Sequence, residues 1–564
     1  MKRGILIAIL VLVIILVVLF AIAGFIYLQF TQEPSVPNEA FLKLTLRGNV
    51  LESVASSWPF QATPLTVREL WYQLERARVD ERIQGLILKI SYLDTGYAKV
   101  NEIGGLLRDF SAGNKPVYAF IEEGGLKEYL LASFADRVYA FKSGFFTIRG
   151  LSAEAVFLKN TLAKLGIEAE LFHMGDYKSA AEIFTGTGMS PAHREALEKI
   201  LLDIHGSIVS TVAVNRNLDE EAVRDIIDAS PVSVEEYLAA GFFDELGYED
   251  SVLEALEITP AKVIDFATYA KTTAPLPFSG RNKIAVVFAG GEINTGKSGG
   301  QGLFGDRIIG SDTLADQLRS LRRNRSVKAV VLRVDSPGGS AVASEIIRRE
   351  AELLLAEKPV VISMSDVAAS GGYWISLAAS RIIAQPQTIT GSIGVIMGKF
   401  VLKGFYDKIG ISKEIVQTTD TAAMFSDYRF FSEDEKKKVL FMMRRFYDEF
   451  ITRVAQWRGQ DPAFIEKVAQ GRIWSGLAAL EHKLIDGLGG LPKAVAIARD
   501  LAGIPPEEEI GIIFSPRKRG FLESLLELGE VRSGFSVREM EAALDRLQKS
   551  FPASMMPFRI SFVR

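Results

Sequence analysis

The sequence predicts an α/β protein in which one domain occurs twice in tandem, preceded by one N-terminal transmembrane helix. In each half, apolar β-rich runs such as 85–88 and 329–332 alternate with helical stretches, which is typical of mostly parallel strands. The second half repeats the first at an offset of 244 residues, with a slip of one at Lys115, which indicates a tandem duplication. The offset joins these pairs: Ile90 and Val334, Tyr129 and Tyr373, Arg137 and Arg381, Gly150 and Gly394.

The N-terminal helix is predicted from residues 4–28, an uncharged apolar run longer than the roughly 20 residues that span a bilayer. We expect residues 1–30 to be a retained membrane anchor, while Ala21-Ile22-Ala23 leaves a cleaved signal peptide as the alternative. Lys2 and Arg3 should stay on the cytoplasmic side. In a bacterium the anchor would lie in the inner membrane, with the body periplasmic or extracytoplasmic.

The residues after the anchor divide into five segments. A polar, proline-containing spacer precedes the first repeat, a Thr/Pro-rich linker separates the repeats, and a tail follows the second. Their predicted bounds are 31–40 for the spacer, 41–270 for the first repeat, 271–282 for the linker, 283–505 for the second repeat and 506–564 for the tail. A chain of 564 residues is too long for one core, which agrees with two large domains.

The composition excludes several kinds of site. There are no cysteines, so disulfides, thiolate metal sites and a cysteine nucleophile are excluded. The formal charge of -4 and the pI of about 5.9 indicate no strongly basic surface. No nucleic-acid partner is therefore expected.

Two glycine-containing turns in the second repeat have the features of a catalytic site. Ser336-Pro337-Gly338-Gly339 follows a buried strand, and paired glycines let backbone N–H groups point into a cleft, as an oxyanion hole requires. Ser370-Gly371-Gly372 follows another strand and opens a helix, whose dipole favours a developing negative charge. Taken alone, Ser370 is equally consistent with a helix N-cap, and the first turn with an ordinary connection.

The base that would activate this serine is open from the residues alone. The four histidines, His173, His193, His205 and His482, lie outside any recognisable triad segment, and a solvated helix face is expected for His193 and His205. Lys178 is an alternative, because burial can supply the roughly 2.4 units by which its pKa would have to fall. A surface lysine remains the simpler interpretation of that residue by itself.

The two candidate groups lie in different repeats. At the offset of 244, Leu126 stands opposite Ser370, and Asp94-Thr95 stands opposite Gly338-Gly339. Matching Ser190 to Ser432 puts Asp420 opposite Lys178. Neither repeat holds both groups, so a Ser-Lys pair would have to be assembled across the two halves.

Four sequence blocks resemble the long form of the signal peptide peptidase A (protease IV) family: Asp335-Ser336-Pro337-Gly338-Gly339, Ala369-Ser370-Gly371-Gly372-Tyr373, Thr390-Gly391-Ser392-Ile393-Gly394 and Gly175-Asp176-Tyr177-Lys178-Ser179-Ala180. The resemblance implies a ClpP/crotonase-like fold in each half. It also implies site roles: Ser370 as nucleophile, Lys178 as general base, Ser392 to orient the lysine, and the N–H groups of Gly371 and of Gly338 or Gly339 as the oxyanion hole.

The same resemblance implies partners. It predicts a serine endopeptidase that needs no cofactor or metal and acts on signal-peptide remnants or other apolar peptides. Residues 4–28 would contact membrane lipid, and a homotetramer is expected. Two other classes stay open: a crotonase-like acyl-CoA hydratase or lyase, and a non-catalytic membrane scaffold.

Overall fold

The computed structural model describes residues 34–53, 64–273, 276–299 and 308–516, together with positions 14, 17, 18, 553 and 554. The strands are β1 (Ala40–Gly48), β2 (Ile83–Leu93), β3 (Val117–Ile121), β4 (Gly124–Gly125), β5 (Arg137–Phe141), β6 (Phe146–Thr147), β7 (Glu168–Met174), β8 (Glu245–Gly247), β9 (Val263–Asp265), β10 (Lys283–Gly290), β11 (Glu292–Asn294), β12 (Ile308–Gly310), β13 (Val327–Ser336), β14 (Gly339–Ser340), β15 (Val360–Ala369), β16 (Arg381–Ala384), β17 (Ile389–Gly391), β18 (Val395–Val401), β19 (Ile473–Ser475), β20 (Gly487–Leu488), β21 (Gly511–Ser515) and β22 (Ala553–Ser554).

The α-helices of the described residues are α1 (Val67–Val79), α2 (Tyr97–Ser111), α3 (Leu126–Ala132), α4 (Lys159–Leu165), α5 (Glu182–Thr185), α6 (Pro191–Arg216), α7 (Glu220–Ala229), α8 (Val234–Ala239), α9 (Glu249–Ala255), α10 (Phe266–Tyr269), α11 (Ser311–Arg323), α12 (Ala341–Leu355), α13 (Gly371–Ser376), α14 (Lys403–Lys408), α15 (Glu433–Arg458), α16 (Pro462–Val468), α17 (Gly476–Glu481) and α18 (Leu491–Leu501). Short 3-10 helices cover Ser179–Ala181 and Pro260–Lys262.

The first half is built on a sheet of parallel strands in the order β8-β5-β3-β2-β1-β9. The central strand β2 carries the run Leu86 to Leu88, which is buried on both faces. Burial on both faces is what a parallel sheet requires, and it explains the continuous apolar run in the sequence.

The second half repeats these six strands in the order β20-β16-β15-β13-β10-β21, again with parallel pairs. Its sheet also contains β17, which pairs with β15, and β19, which pairs antiparallel with β17. Helices obey the same offset of 244 residues, since α1 and α11 begin at Val67 and Ser311, and α2 and α12 begin at Tyr97 and Ala341. The predicted tandem duplication of an α/β domain is confirmed.

The offset changes to 242 before the longest helices. α6 and α15 are both 26 residues long and begin at Pro191 and Glu433. Each is capped by a serine, Ser190 or Ser432, whose hydroxyl accepts an N–H three residues further on. The two helices therefore mark equivalent positions in the two halves.

The two halves are joined by a shared core and by one strand pair. α2 of the first half packs on β15 of the second, and buried residues of both halves, among them Val100 and Val361, belong to one apolar cluster. β7 of the first half pairs antiparallel with β18 of the second, with Met174 opposite Val395. This pairing places the segment after Met174 against the second half.

The predicted membrane anchor lies almost entirely outside the described residues. Across the described ranges no helix is long and apolar enough to cross a membrane. Residues 1–30 lie outside those ranges except for Ile14, Val17 and Val18, which are helical and exposed. Of the predicted tail 506–564, the part beyond Pro516 also lies outside them apart from β22.

Candidate active site

Ser370 lies between the end of β15 and the start of α13 in a backbone conformation that few side-chain-bearing residues adopt, with φ +57° and ψ -115°. Two hydrogen bonds hold it there: its N–H donates to the carbonyl of Gly391 (2.8 Å), and its carbonyl accepts from the N–H of Trp374 (2.8 Å). Its hydroxyl makes no capping bond to the helix. The N-cap interpretation of the side chain is therefore wrong, and the hydroxyl is turned elsewhere.

The hydroxyl of Ser370 contacts Lys178, which belongs to the first half and lies four residues after the end of β7. Lys178 Nζ lies 2.8 Å from Ser370 Oγ, 2.9 Å from Ser392 Oγ and 3.1 Å from the Ser392 carbonyl oxygen. Ser370 is fully buried, and Lys178 and Ser392 are each only 1% exposed. The structure thus brings together three predicted site residues, separated by up to 214 positions in the chain.

The lysine fits because the second half leaves a slot for it. A Cβ on Gly471 would lie 2.4 Å from Lys178 Cβ, and Gly471 has a φ of +74° that also favours glycine. A Cβ on Gly394 would approach Lys178 Cδ to 3.1 Å. The N–H of Tyr177 donates to the Gln470 carbonyl (2.8 Å), which fastens the lysine segment to the rim of the slot.

Burial is what changes the chemistry of Lys178. Removal of the ammonium from water lowers the pKa of Lys178 from 10.5 to about 7. Its hydrogen-bond partners named above are hydroxyl and carbonyl oxygens, which carry no negative charge to restore the protonated form. Near neutrality a large fraction of the amine is therefore unprotonated and able to accept the proton of Ser370.

The predicted oxyanion glycines also lie together. A Cβ on Gly371 would lie 3.1 Å from the backbone nitrogen of Gly339 and 3.2 Å from Gly338 Cα, so the two turns are in contact. As the first residue of α13, Gly371 has an N–H with no acceptor in its own helix. The N–H of Gly338 donates to Ser336 Oγ (3.2 Å). The oxyanion role of Gly371 and of Gly338 or Gly339 stays a prediction.

The histidines take no part in this arrangement. Within the described residues, the hydrogen bonds of Ser370 Oγ lead to Lys178 and to no histidine. The expectation of a solvated face for His193 is wrong, since it is 1% exposed and its Nδ1 lies 2.9 Å from Glu182 Oε2. Leu126, which stands opposite Ser370 in the repeat, is buried, and Asp420, opposite Lys178, is exposed.

Sequence reasoning missed a set of buried charges behind the serine. Lys99 and Glu52 of the first half contact Arg333 and Asp335 of the second. The signal was present, because Arg333 interrupts the apolar run 329–334 and a fully buried arginine needs partners. The partners themselves lie more than 200 residues away and leave no local pattern.

Comparisons with known proteins agree with the duplication. A family model described as Peptidase family S49 matches residues 109–263 and again 352–505. The protein named "Serine protease SPPA, chloroplastic" from Arabidopsis thaliana is 33% identical over 517 residues, 90% of this chain and 76% of its own length. "Protease 4" from Salmonella typhi is 33% identical over 447 residues, 76% of this chain and 71% of its own.

Solved structures are similar to part of the chain. A ClpP1 mutant from Listeria monocytogenes is 16% identical and covers 37% of this chain and 94% of its own, with a TM-score of 0.24. That score is too low to bear on the fold. The ClpP/crotonase-like form of each half stays a prediction.

A reaction that needs the neutral amine of Lys178 should follow the pKa of that amine. Because this pKa is lowered to about 7, the neutral fraction grows as the pH rises, so kcat/KM should climb through about pH 7 and level off about two units higher. The measurement is kcat/KM for a peptide across this range. A rate that is flat through neutrality, or that rises only near the ordinary lysine pKa, would contradict the assignment.

Ser392→Ala should remove one of the two contacts that Ser392 makes with Lys178 Nζ and leave the other. The variant loses the hydroxyl 2.9 Å from Nζ but keeps the carbonyl at 3.1 Å. Loss of one hydrogen bond of about 1 kcal/mol should lower kcat about 5-fold. Steady-state kinetics, with a melting curve to confirm folding, make the measurement, and an unchanged kcat would show that the hydroxyl has no orienting role.

Proposed function

This chain belongs to peptidase family S49 and is a serine protease of the SppA type, and we propose that it is a membrane-anchored endopeptidase that degrades cleaved signal peptides with a Ser370-Lys178 dyad. The observation that carries the proposal is the 2.8 Å contact between Lys178 Nζ and Ser370 Oγ. A buried amine with a pKa of about 7 beside a strained serine at a helix start is the arrangement expected of an activated nucleophile.

The proposed reaction proceeds through an acyl-enzyme. Neutral Lys178 takes the proton of Ser370, and the alkoxide attacks the peptide carbonyl. The N–H groups of Gly371 and of Gly338 or Gly339 stabilise the oxyanion of the tetrahedral intermediate. Lys178 then gives its proton to the leaving amine of the peptide. The side-chain amine of Lys178, neutral again, activates a water molecule that hydrolyses the acyl-enzyme. Every proton transfer uses Lys178, so the mechanism calls on no metal or cofactor.

An extended apolar peptide is the proposed substrate. β22 of the chain's own tail pairs antiparallel with β14, with Gly339 opposite Ser554. A substrate strand could take the same main-chain pairing beside the oxyanion glycines. Val342 and Ile346, one turn apart on the helix that follows, are 50% and 39% exposed and offer an apolar surface there. Signal-peptide remnants combine an extended backbone with such side chains.

The location follows from the sequence of the N-terminus. Residues 4–28 would hold the enzyme in the bacterial inner membrane, with Lys2 and Arg3 on the cytoplasmic side and the body in the periplasm or outside the cell. This arrangement keeps the active site close to peptides left in the bilayer. It also separates the body from cytoplasmic acyl-CoA, which counts against a hydratase or lyase.

A homotetramer is the proposed assembly, and the repeat suggests how chains would join. β18 pairs with β7 inside the chain. The offset of 244 still holds directly before β7, where Gly166 and Ile167 match Gly410 and Ile411, so the equivalents of these strands are 151–157 and 412–418. Residues 407–420 are all exposed, and in 151–157 a single β-bridge at Ala153 is the only strand pairing that the described residues show. We propose that 151–157 of one chain pairs with 412–418 of its neighbour, so that four chains close a ring.

Covalent labelling tests the dyad. A fluorophosphonate probe should label Ser370 in the wild-type protein, and Ser370→Ala and Lys178→Ala should each lower hydrolysis of a synthetic signal peptide by at least about 10³-fold. Lys328→Ala, which removes an exposed lysine, is the control and should retain full activity. Activity retained in Lys178→Ala would exclude the dyad, and an unlabelled Ser370 would favour the hydratase or scaffold alternatives.

Disulfide cross-linking tests the assembly, because the natural chain has no cysteine. The in-chain register places Ile396 opposite His173, which predicts that Ser152 faces Gln417 of the neighbour. Paired strands bring Cα atoms within disulfide reach. On oxidation, chains with both Ser152→Cys and Gln417→Cys should link into trimers and tetramers.

Two controls accompany the cross-linking. Mixed single variants should give dimers only, because each chain then has one cysteine. Ser152→Cys with Ile415→Cys, two residues out of register, should cross-link far less. Equal cross-linking of the two double variants, or none in either, would contradict the proposed pairing.

A further inference from the structure

A cluster of buried and half-buried charges lies where the two halves meet behind Ser370. We name it the interface cluster; its members are Glu52, Lys99 and Glu102 of the first half and Arg333, Asp335 and Asp366 of the second. Buried charges are tolerated only when they are paired, and here most of the pairs cross between halves. Two cations serve four carboxylates, so the placement of each cation matters.

Arg333 accounts for one side of the cluster. Its Nε lies 2.9 Å from Glu52 Oε2, and an Nη lies 2.6 Å from Glu102 Oε2. It also donates to Ser363 Oγ (2.9 Å) and Ser365 Oγ (3.1 Å) on β15. Arg333 is therefore fully engaged with Glu52 and Glu102, and it leaves Asp335 and Asp366 to another cation.

Lys99 is that cation. Its Nζ lies 3.2 Å from Asp335 Oδ2, 3.2 Å from Asp366 Oδ2 and 3.6 Å from Glu52 Oε1. Its backbone N–H, in the first turn of α2, donates to Asp366 Oδ1 at 2.9 Å. A Cβ on Gly96 would lie 2.2 Å from the same carboxyl group, so the start of α2 closes tightly on Asp366. Lys99 therefore contacts Asp366 through both its ammonium and its backbone N–H, and Asp335 through its ammonium alone.

The two carboxylates flank an irregularity in the sheet that leads to the active site. In the pairing of β13 with β15, Val334 lies opposite Met364, but Ser336 lies opposite Ala368. One residue, Asp335, is therefore matched by three, 365–367. Such bulges bend a strand and re-aim the side chains that follow it. Asp335 Oδ1 accepts the N–H of Val367 across the bulge (3.2 Å).

The bulge lies next to both the turn with the oxyanion glycines and the nucleophile Ser370. Asp335 directly precedes the turn that contains Gly338 and Gly339, and Asp366 stands four residues before Ser370. Without a cation between them, two carboxylates would repel each other at this point. The ends of β13 and β15 would then move apart, and with them the oxyanion glycines and the nucleophile.

We propose that Lys99 is a positioning residue for peptide hydrolysis: by bridging Asp335 and Asp366 across the bulge, it fixes the oxyanion turn relative to Ser370. The inference rests on the proposed Ser370 mechanism. It gives the first half a second contribution to the site, besides Lys178.

The test compares Lys99→Met with Lys99→Arg in the full-length protein, with active sites counted by fluorophosphonate labelling at saturation. Lys99→Met should lower kcat about 10²-fold, as a displacement of about 1 Å does, and leave KM within about 2-fold. The rate of labelling of Ser370 should fall in parallel. Lys99→Arg, which keeps the charge, should recover most of kcat.

A matched control exists in the first half. Lys89 and Glu122 stand opposite Arg333 and Asp366 in the repeat, and Lys89 Nζ lies 2.7 Å from both Glu122 and Glu249. Lys89→Met also removes a cation from two carboxylates, but on β2 of the first-half sheet, whereas Ser370 follows β15 of the second-half sheet. It should lower the melting temperature and leave kcat per labelled site unchanged. Equal kcat losses in Lys89→Met and Lys99→Met would overturn the positioning role.

Asp366→Asn keeps the test decisive if Lys99→Met does not fold. In the wild-type background Asp366→Asn should lower kcat about 5-fold with KM unchanged, while in the Lys99→Met background it should raise kcat by removing the repulsion. An unchanged kcat in Asp366→Asn would contradict the inference. If Ser370→Ala and Lys178→Ala are inactive while Lys99→Met has wild-type kcat, only this inference fails; if Ser370→Ala is active, the proposed function fails.

Discussion

The burial of one amine is the constraint on which the site depends. Lys178 reaches Ser370 only because the strand pair β7–β18 carries the first half across to the second and because Gly471 leaves room for its side chain. Removal from water lowers its pKa from 10.5 to about 7, which corresponds to about 5 kcal/mol against the charged form. The same packing that joins the halves therefore leaves a largely unprotonated amine beside Ser370 near neutral pH.

The duplication explains why the site lies between the halves. Both halves keep the same order of six parallel strands and equivalent helices, although the second sheet also contains β17 and β19. What differs is the chemistry at equivalent positions, since Leu126 fills the place of the serine and Asp420 that of the lysine. In the first half, Asp94-Thr95 stand opposite Gly338-Gly339. At the start of the helix that follows, the N–H of Lys99 donates to Asp366 of the other half.

The sequence was sufficient for residues that belong to local motifs. Ser370, Ser392 and Lys178 could be named from their blocks, and the offset predicted that no half would hold both serine and lysine. The buried charges could not be paired in this way, because Lys99 meets Asp335 only through the packing of α2 on β15. The same holds for His193, whose burial depends on the distant segment that carries Glu182. Local patterns report strands and turns, whereas contacts between halves depend on how the two sheets are set against each other.

The central claim is that one chain builds one complete site from its two halves. Co-expression of Ser370→Ala and Lys178→Ala chains with different affinity tags, followed by purification on both tags, isolates oligomers that contain both variants. The Lys178–Ser370 contact within one chain predicts that these mixed oligomers are as inactive as either variant alone, while oligomers of wild-type and Ser370→Ala chains keep partial activity. Recovery of peptide hydrolysis in the mixed variants would show that the lysine of one chain serves the serine of another and would contradict the claim.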